Sequence, residues 1–505
     1  MLFRSIFSIS LSAVLTISLP AMATGNEQVP AKQDTKRIYT GETEVVFEND
    51  GHKVEAFEGS IQMPENRKNP DSRLIPVHYL RFPATGKQAG SPIIYLAGGP
   101  GGSGISTVTY PGFRFPLFMA MREFGDVIAL DQRGTGKSKS APGCTSKQSI
   151  PPNMPLSETL LTQHYRLAAT ECVDFWTSKG VDVLGYTTVE NARDLDQLRQ
   201  HLGAAKMTLW GISYGSHLAL ASLKMMPEKI DKVIIASAEG LDQTVKLPAR
   251  TDAYFERLQS AINQQSKAAS AYPDIMAMMN RVHRSLDEKP VRVMIPRDDA
   301  ATIEFLFQRI HMQGLAARMI ADPHRGAPKM LELYAALDQD NTEMLPMIIE
   351  QAGLVNPYIS FDLMSFAMDV ASGITERRRL LVEQQSEHSL LGNLLNFPMP
   401  QLNRVVDGLD LGDAFRQYPH SDVPTLLLTG TLDGRTYIKS QQEATRGLTN
   451  LKRVVVKNGG HNVFMLTPEI TGVIQEFMRG KALEMTEIEL KKHLINLKKK
   501  VFQSS

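Results

Sequence analysis

The stretch that most narrows the possible folds is Thr208-Leu209-Trp210-Gly211-Ile212-Ser213-Tyr214-Gly215-Ser216. An apolar run enters Gly-x-Ser-x-Gly, and a helix-forming run, His217-Leu218-Ala219-Leu220-Ala221, leaves it. That order specifies a strand, a turn too tight for side chains two residues either side of the serine, and a helix. Such an elbow lifts the Ser213 hydroxyl clear of a sheet at a helix N-terminus, where backbone N–H groups favour developing negative charge. A serine so presented is chemically useful only with a base, an acid and oxyanion donors supplied from elsewhere in the chain.

With 505 residues there is room for one large domain carrying an insertion, or for two domains. A net charge of +1 gives no electrostatic footprint for nucleic acid. Met1-Leu2-Phe3-Arg4 is a short basic start, residues 5–20 are an apolar run too short for a comfortable membrane span, and Ala21-Met22-Ala23 fits small-x-small cleavage. Residues 1–23 therefore read as a signal peptide. The mature chain would begin at Thr24 in the periplasm or outside the cell, with no membrane span left. In an oxidising compartment the two cysteines, Cys144 and Cys172, read as one disulfide. Two cysteines without a suitable histidine cluster do not make a zinc site, and no metal or other cofactor is expected.

Residues 24–36 read as a polar leader, and residues 53–62 and 74–82 as short strands. A buried strand over 92–96 runs into Ala97-Gly98-Gly99-Pro100-Gly101-Gly102-Ser103-Gly104. This loop holds a formal Gly-x-Gly-x-x-Gly, and the next strand, 126–130, is followed by Asp131. A dinucleotide site fails here, because Pro100 interrupts the loop and Pro111 and Pro116 interrupt the helix that should meet the pyrophosphate. What remains is a loop whose bare N–H groups can approach a substrate oxygen. Gly136-Lys137-Ser138 imitates the end of a phosphate loop, but the required glycine five residues earlier is Asp131. Asp131 and Arg133 are expected to form an internal charged network that braces this loop.

Helical periodicity over 156–178 and 187–202 alternates with strands over 207–210 and 232–236. The alternation specifies a mostly parallel α/β sheet. Over 241–400 helical runs dominate, at 300–313, 328–339 and 360–371, and about half of the chain's 24 methionines fall there. Those methionines read as adaptable core or as the lining of an apolar pocket. The α/β pattern resumes at 423–433 and 451–461. The expected organisation is thus a sheet domain in two parts, 24–240 and 401–480, a helical cap over 241–400, and a basic, helical tail over 481–505.

A serine hydroxyl needs a base within hydrogen-bond reach, and the base needs a carboxylate to fix its tautomer. His217 lies one helical turn after Ser213, under the elbow, and reads as packing. His461 follows a strand behind Gly459-Gly460, and Asp433 directly follows the strand before it. Only this pair combines the chain order serine, acid, histidine with two strand-end positions. The backbone N–H of Tyr214 and that of Gly99 are the expected oxyanion donors.

Gly98-Gly99-Pro100-Gly101-Gly102-Ser103-Gly104, Asp131-Gln132-Arg133-Gly134-x-Gly136-x-Ser138 and Gly211-x-Ser213-Tyr214-Gly215-Ser216 together resemble the proline iminopeptidase and tripeptidyl aminopeptidase family of α/β-hydrolases. Gly430-Thr431-Leu432-Asp433-Gly434-Arg435-Thr436 and Gly459-Gly460-His461 fit the same family. The resemblance covers about 85–240 and 400–480. Ala97 stands where proline iminopeptidases usually begin the first motif with histidine, which favours the exported, tripeptidyl-aminopeptidase-like branch. In that branch the two cysteines resemble a disulfide pair. The resemblance implies a serine exopeptidase that works through an acyl-enzyme on Ser213 and takes a peptide with a free N-terminus. An anion must then hold the α-ammonium, and Glu239 and Asp369 are the candidates. The same triad serves an esterase or amidase on small acyl substrates. A non-catalytic binding protein has no need of all three groups in order.

Overall fold

The computed structural model describes residues 37–49, 51–87, 90–110, 114–297 and 302–490. The signal-peptide reading of 1–23, the leader 24–36 and residues 491–505 of the tail lie outside the described residues.

The first strands, β1 (Glu42–Asn49), β2 (His52–Pro64) and β3 (Leu74–Phe82), form an antiparallel meander. Then come β4 (Ile93–Leu96), β5 (Val127–Leu130) and β6 (Cys144–Ser149), followed by β7 (Met207–Ile212) and β8 (Ile230–Ala236). Three short strands lie further on, β9 (Val291–Pro296), β10 (Thr302–Phe307) and β11 (Tyr358–Phe361). The last are β12 (Thr425–Gly430), β13 (Leu451–Lys457) and β14 (Glu487–Glu489). Ten of these strands make one sheet in the order β1-β2-β3-β5-β4-β7-β8-β12-β13-β14. From β5 onward every pairing is parallel.

Parallel strands covered by helices on both faces should read as continuous apolar runs. Here Ile94, Leu96, Leu209, Val233 and Ile235 turn into one core, and their neighbours Ile93, Tyr95, Trp210, Ile234 and Ala236 into the other. The helix Thr188–His201 presents Leu195 and Leu198 to the first core and ends ahead of β7. Thr187 caps its start by accepting from the Glu190 amide.

Within residues 241–400, Phe255, Leu258, Met279, Met312, Met330 and Leu331 build a separate core, whereas Leu363, Phe366, Ala367 and Val370 pack into the core on the sheet. The methionines there are mostly core filling, while Met364 and Met368 pack on Tyr214. Cys144 and Cys172 are disulfide-bonded. The bond ties β6 to the helix Glu158–Ser178, and β6 pairs antiparallel with β11. The 144–178 excursion therefore reaches across to the 241–400 segment.

Three expectations are corrected. The helix expected over 300–313 is instead β10 followed by the helix Arg309–Met319. Val291–Pro296 alternates inward and outward side chains, with Arg292 and Met294 exposed, and supplies β10 with an antiparallel partner, so Phe305 and Phe307 bury beside Val293 and Ile295. The tail is not helical over its described part, where β14 extends the sheet beside β13 and buries Ile488. Asp131 and Arg133 do not share one network. Arg133 is fully buried on Asp194, with two bonds of 2.6 and 2.7 Å, and Asp131 turns to the glycine loop. Among the described residues no helix is long and apolar enough to cross a membrane.

Candidate active site

The elbow forms where β7 meets the helix Tyr214–Met225. Ser213 has φ 55° and ψ −124°, a left-handed backbone that a non-glycine residue adopts only when its surroundings force it. The surroundings do so sterically. A Cβ on Gly215 would lie 2.0 Å from the Leu96 carbonyl oxygen, and one on Gly211 would lie 2.5 Å from that of Gly215. The Ser213 amide donates to Ala236 O at 3.2 Å, which pins the turn to β8. The Ser213 side chain does not cap its helix, so the hydroxyl is left free to face the cavity.

Asp433 leaves the end of β12 and is 1% exposed. It accepts from the amides of Arg435 and Thr436 at 2.8 and 2.9 Å and from Thr436 Oγ1 at 2.7 Å. His461 Nδ1 donates to both of its oxygens, at 3.0 and 3.1 Å. Burial alone would raise the Asp433 carboxyl, but His461 and the Thr436 donors outweigh it and hold it below the ordinary value. With Nδ1 spent on Asp433, Nε2 is the acceptor of the ring. His461 is fixed at its backbone too: its amide donates to Ala321 O at 3.0 Å and its carbonyl accepts from Ser237 Oγ at 2.7 Å. Among the described residues no hydrogen bond joins Ser213 to His461. Both line one cavity of about 410 Å³, with Gly98, Gly99, Glu239, Lys246 and Arg435.

The second motif holds the first. Asp131 accepts from Ser103 Oγ at 2.6 Å and the Ile105 amide at 3.0 Å, while Gln132 Nε2 donates to Ala97 O at 3.0 Å. Asn191 in turn fixes Gln132. These bonds set the loop that carries Gly99, whose φ of 128° requires a glycine. Tyr214 is the first residue of its helix, so its N–H has no partner within that helix. Its side chain turns away, donating to Met368 Sδ beside Thr188. His217 is buried, with Nδ1 donating to Gly240 O and Nε2 accepting from Ser372 Oγ, and burial lowers its pKa. It is a packing residue, as expected.

Glu239 lines the cavity, but its Oε2 meets Lys246 Nζ at 3.0 Å. Asp369, on the helix Leu363–Ser372, does not line this cavity but lies close enough to feel the Glu239 charge. Burial first, and then the Glu239 charge, push the Asp369 carboxyl up to about 7. Sequence reasoning missed Lys246 and Arg435. Lys246 follows Glu239 by seven residues of irregular loop, which carries no periodic signal, and Arg435 was visible only as part of a motif. No group of His, Cys, Asp and Glu among the described residues is arranged to hold a metal ion.

The family model for the alpha/beta hydrolase fold matches residues 91–468. The chain belongs to that family. Within it, the chain is 30% identical over 189 residues to the serine protease Hip1 of Mycobacterium tuberculosis, covering 36% of this chain and 35% of that protein. It is 27% identical over 186 residues to a tripeptidyl aminopeptidase of Streptomyces coelicolor, covering 35% and 34%. The matched stretch spans about a third of the length of these relatives. These names agree with the resemblance carried by the motifs. Among solved structures, the proline iminopeptidase-related protein of Thermus thermophilus aligns at 16% identity and a TM-score of 0.37, covering 84% of this chain and 97% of that one.

Proposed function

We propose that this chain is an exported serine peptidase that removes residues from a free peptide N-terminus. One observation carries the reading: Ser213, His461, Gly99 and the carboxylate of Glu239 line a single cavity. In this reading His461 Nε2 takes the proton of Ser213 Oγ as the oxygen attacks the scissile carbonyl, and Asp433 stabilises the imidazolium that forms. The N–H groups of Tyr214 and Gly99 receive the oxyanion. His461 then gives its proton to the leaving amine, and water repeats the sequence on the acyl-enzyme. Residues 241–400 act as a cap over the site, between the two parts of the sheet domain at 24–240 and 401–480.

Glu239 and Asp369 together offer the substrate ammonium two carboxylates against one lysine. A neighbouring cavity of about 330 Å³ gives room for an extended peptide, since Arg435 lines both spaces. The Cys144–Cys172 disulfide supports export. A second reading, an esterase or amidase on small acyl groups, is favoured by the Glu239–Lys246 ion pair, which already occupies one oxygen of that carboxylate.

The deciding experiment compares aminoacyl and tripeptidyl amides, free and N-acetylated, with nitrophenyl esters. The exopeptidase reading expects kcat/KM on free amides to exceed that on acetylated ones by about 100-fold, the loss of a buried charge pair. Equal rates on both, with faster turnover of esters, select the second reading.

A further inference from the structure

Glu239 and Lys246 face the catalytic cavity, whereas Gly240 and Leu247 of the same loop line a second cavity of about 620 Å³. The two spaces share no lining residue. The second is strongly cationic. Arg250, Arg377, Arg378, Arg416 and Arg446 line it, against Asp242, Asp413 and Glu443.

The acids are already committed. Glu443 accepts from Arg250, Asp413 accepts from Arg416 Nη1 at 2.7 Å, and Asp242 accepts from the amide and hydroxyl of Thr375 at 3.1 and 2.9 Å. Arg377, Arg378 and Arg446 are left without a carboxylate partner among the described residues. Arg377 and Arg446 are exposed, and the Arg446 guanidinium lies 3.8 Å from the Tyr418 ring centre. Arg378 is only 9% exposed. Its Nε donates to Val245 O at 2.7 Å, its Nη2 is enclosed without a hydrogen-bond partner among the described residues, and its side chain lines the cavity. Burial pushes this guanidinium down to about 10, which still leaves it charged at neutral pH. A buried cation with an idle donor is costly unless something completes its fork, and the planar guanidinium matches the two oxygens of a carboxylate or phosphate.

We propose that this cavity is a binding site for a small oxyanion ligand, a phosphate ester or a polycarboxylate, gripped by Arg378 from within and by Arg377 and Arg446 at the mouth. Leu241, Leu247 and Leu381 supply an apolar wall for its carbon skeleton.

The test titrates the full chain with inorganic phosphate and, separately, with citrate, at constant ionic strength set by chloride, following heat release and Tm. Saturable binding with a rising Tm is expected for at least one of them. Phosphate alone assigns a phosphate ester, and citrate alone a polycarboxylate. The double variant Arg377→Ala/Arg446→Ala should bind at least 10-fold more weakly with unchanged kcat, and Arg378→Met should abolish binding. Should Arg378→Met fail to fold, the exposed pair decides by itself. Absence of saturable binding by either probe, or wild-type affinity in the double variant, overturns the proposal.

Discussion

On the sheet side of the catalytic cavity the backbone dictates the residue. A Cβ on Gly211 or Gly215 would come within 2.5 Å of a carbonyl oxygen, Ser213 is held at positive φ, and Asp433 is met by four donors. Residues 254–349, by contrast, are organised by side-chain packing. Met279, Met312 and Met330 fill their core, and methionine adapts to irregular space. Chemistry needs the first kind of construction, because a displacement of about 1 Å at the reacting atoms costs about 100-fold in rate. Choice of substrate can be written in the second kind, where one apolar residue replaces another at small cost.

Substitutions in the two regions should differ in their effects. The largest effect belongs to Ser213→Ala, which should lower kcat by about a millionfold with an unchanged denaturation midpoint. A wild-type rate would remove the triad. Gly215→Ala comes next. Its methyl would meet Leu96 O, and overpacking there should cost about 3 kcal/mol or more, read as a lower denaturant midpoint. A neutral result would mean that the elbow is less fixed than its contacts imply.

Asp369→Asn should act through substrate binding and pH. In the wild type, KM for free-amine amides should fall as pH rises from 6 to 8, following ionisation of a carboxyl raised to about 7, and the variant should lose that slope. The sign for stability is the opposite. A carboxyl raised in the folded state contributes stability that is present below its unfolded value and lost as pH rises through the folded one. The variant should therefore gain on the wild type between about pH 4 and 7, and hold that gain above. The smallest effect is expected from Met279→Leu in the helical core, under about 1.5 kcal/mol. A loss as large as that of Gly215→Ala would erase the distinction between the two regions.

The same contrast explains how much could be read in advance. Strands buried on both faces announce themselves as apolar runs, and β3 was bounded to the residue. Asp433 and His461 stand out in the sequence because each follows a strand end, and the fold brings the two side chains into hydrogen-bond contact. The hairpin of β9 and β10 was missed because three apolar residues, Phe305, Leu306 and Phe307, precede a true helix and blend into its pattern. Strand β14 is three residues long, too short to declare a period. Lys246 and Arg378 escaped notice for another reason. The burial of a charge and its choice of partner are decided by chain segments far apart in sequence, such as Arg378 Nε on Val245 O.

Covalent trapping decides whether Ser213 is the nucleophile and His461 its base. The full chain is incubated with a fluorophosphonate and the adduct located by peptide mass spectrometry. A single adduct is expected, on Ser213, formed far more slowly in His461→Ala. An adduct on another residue, or equal labelling rates in wild type and His461→Ala, would contradict it.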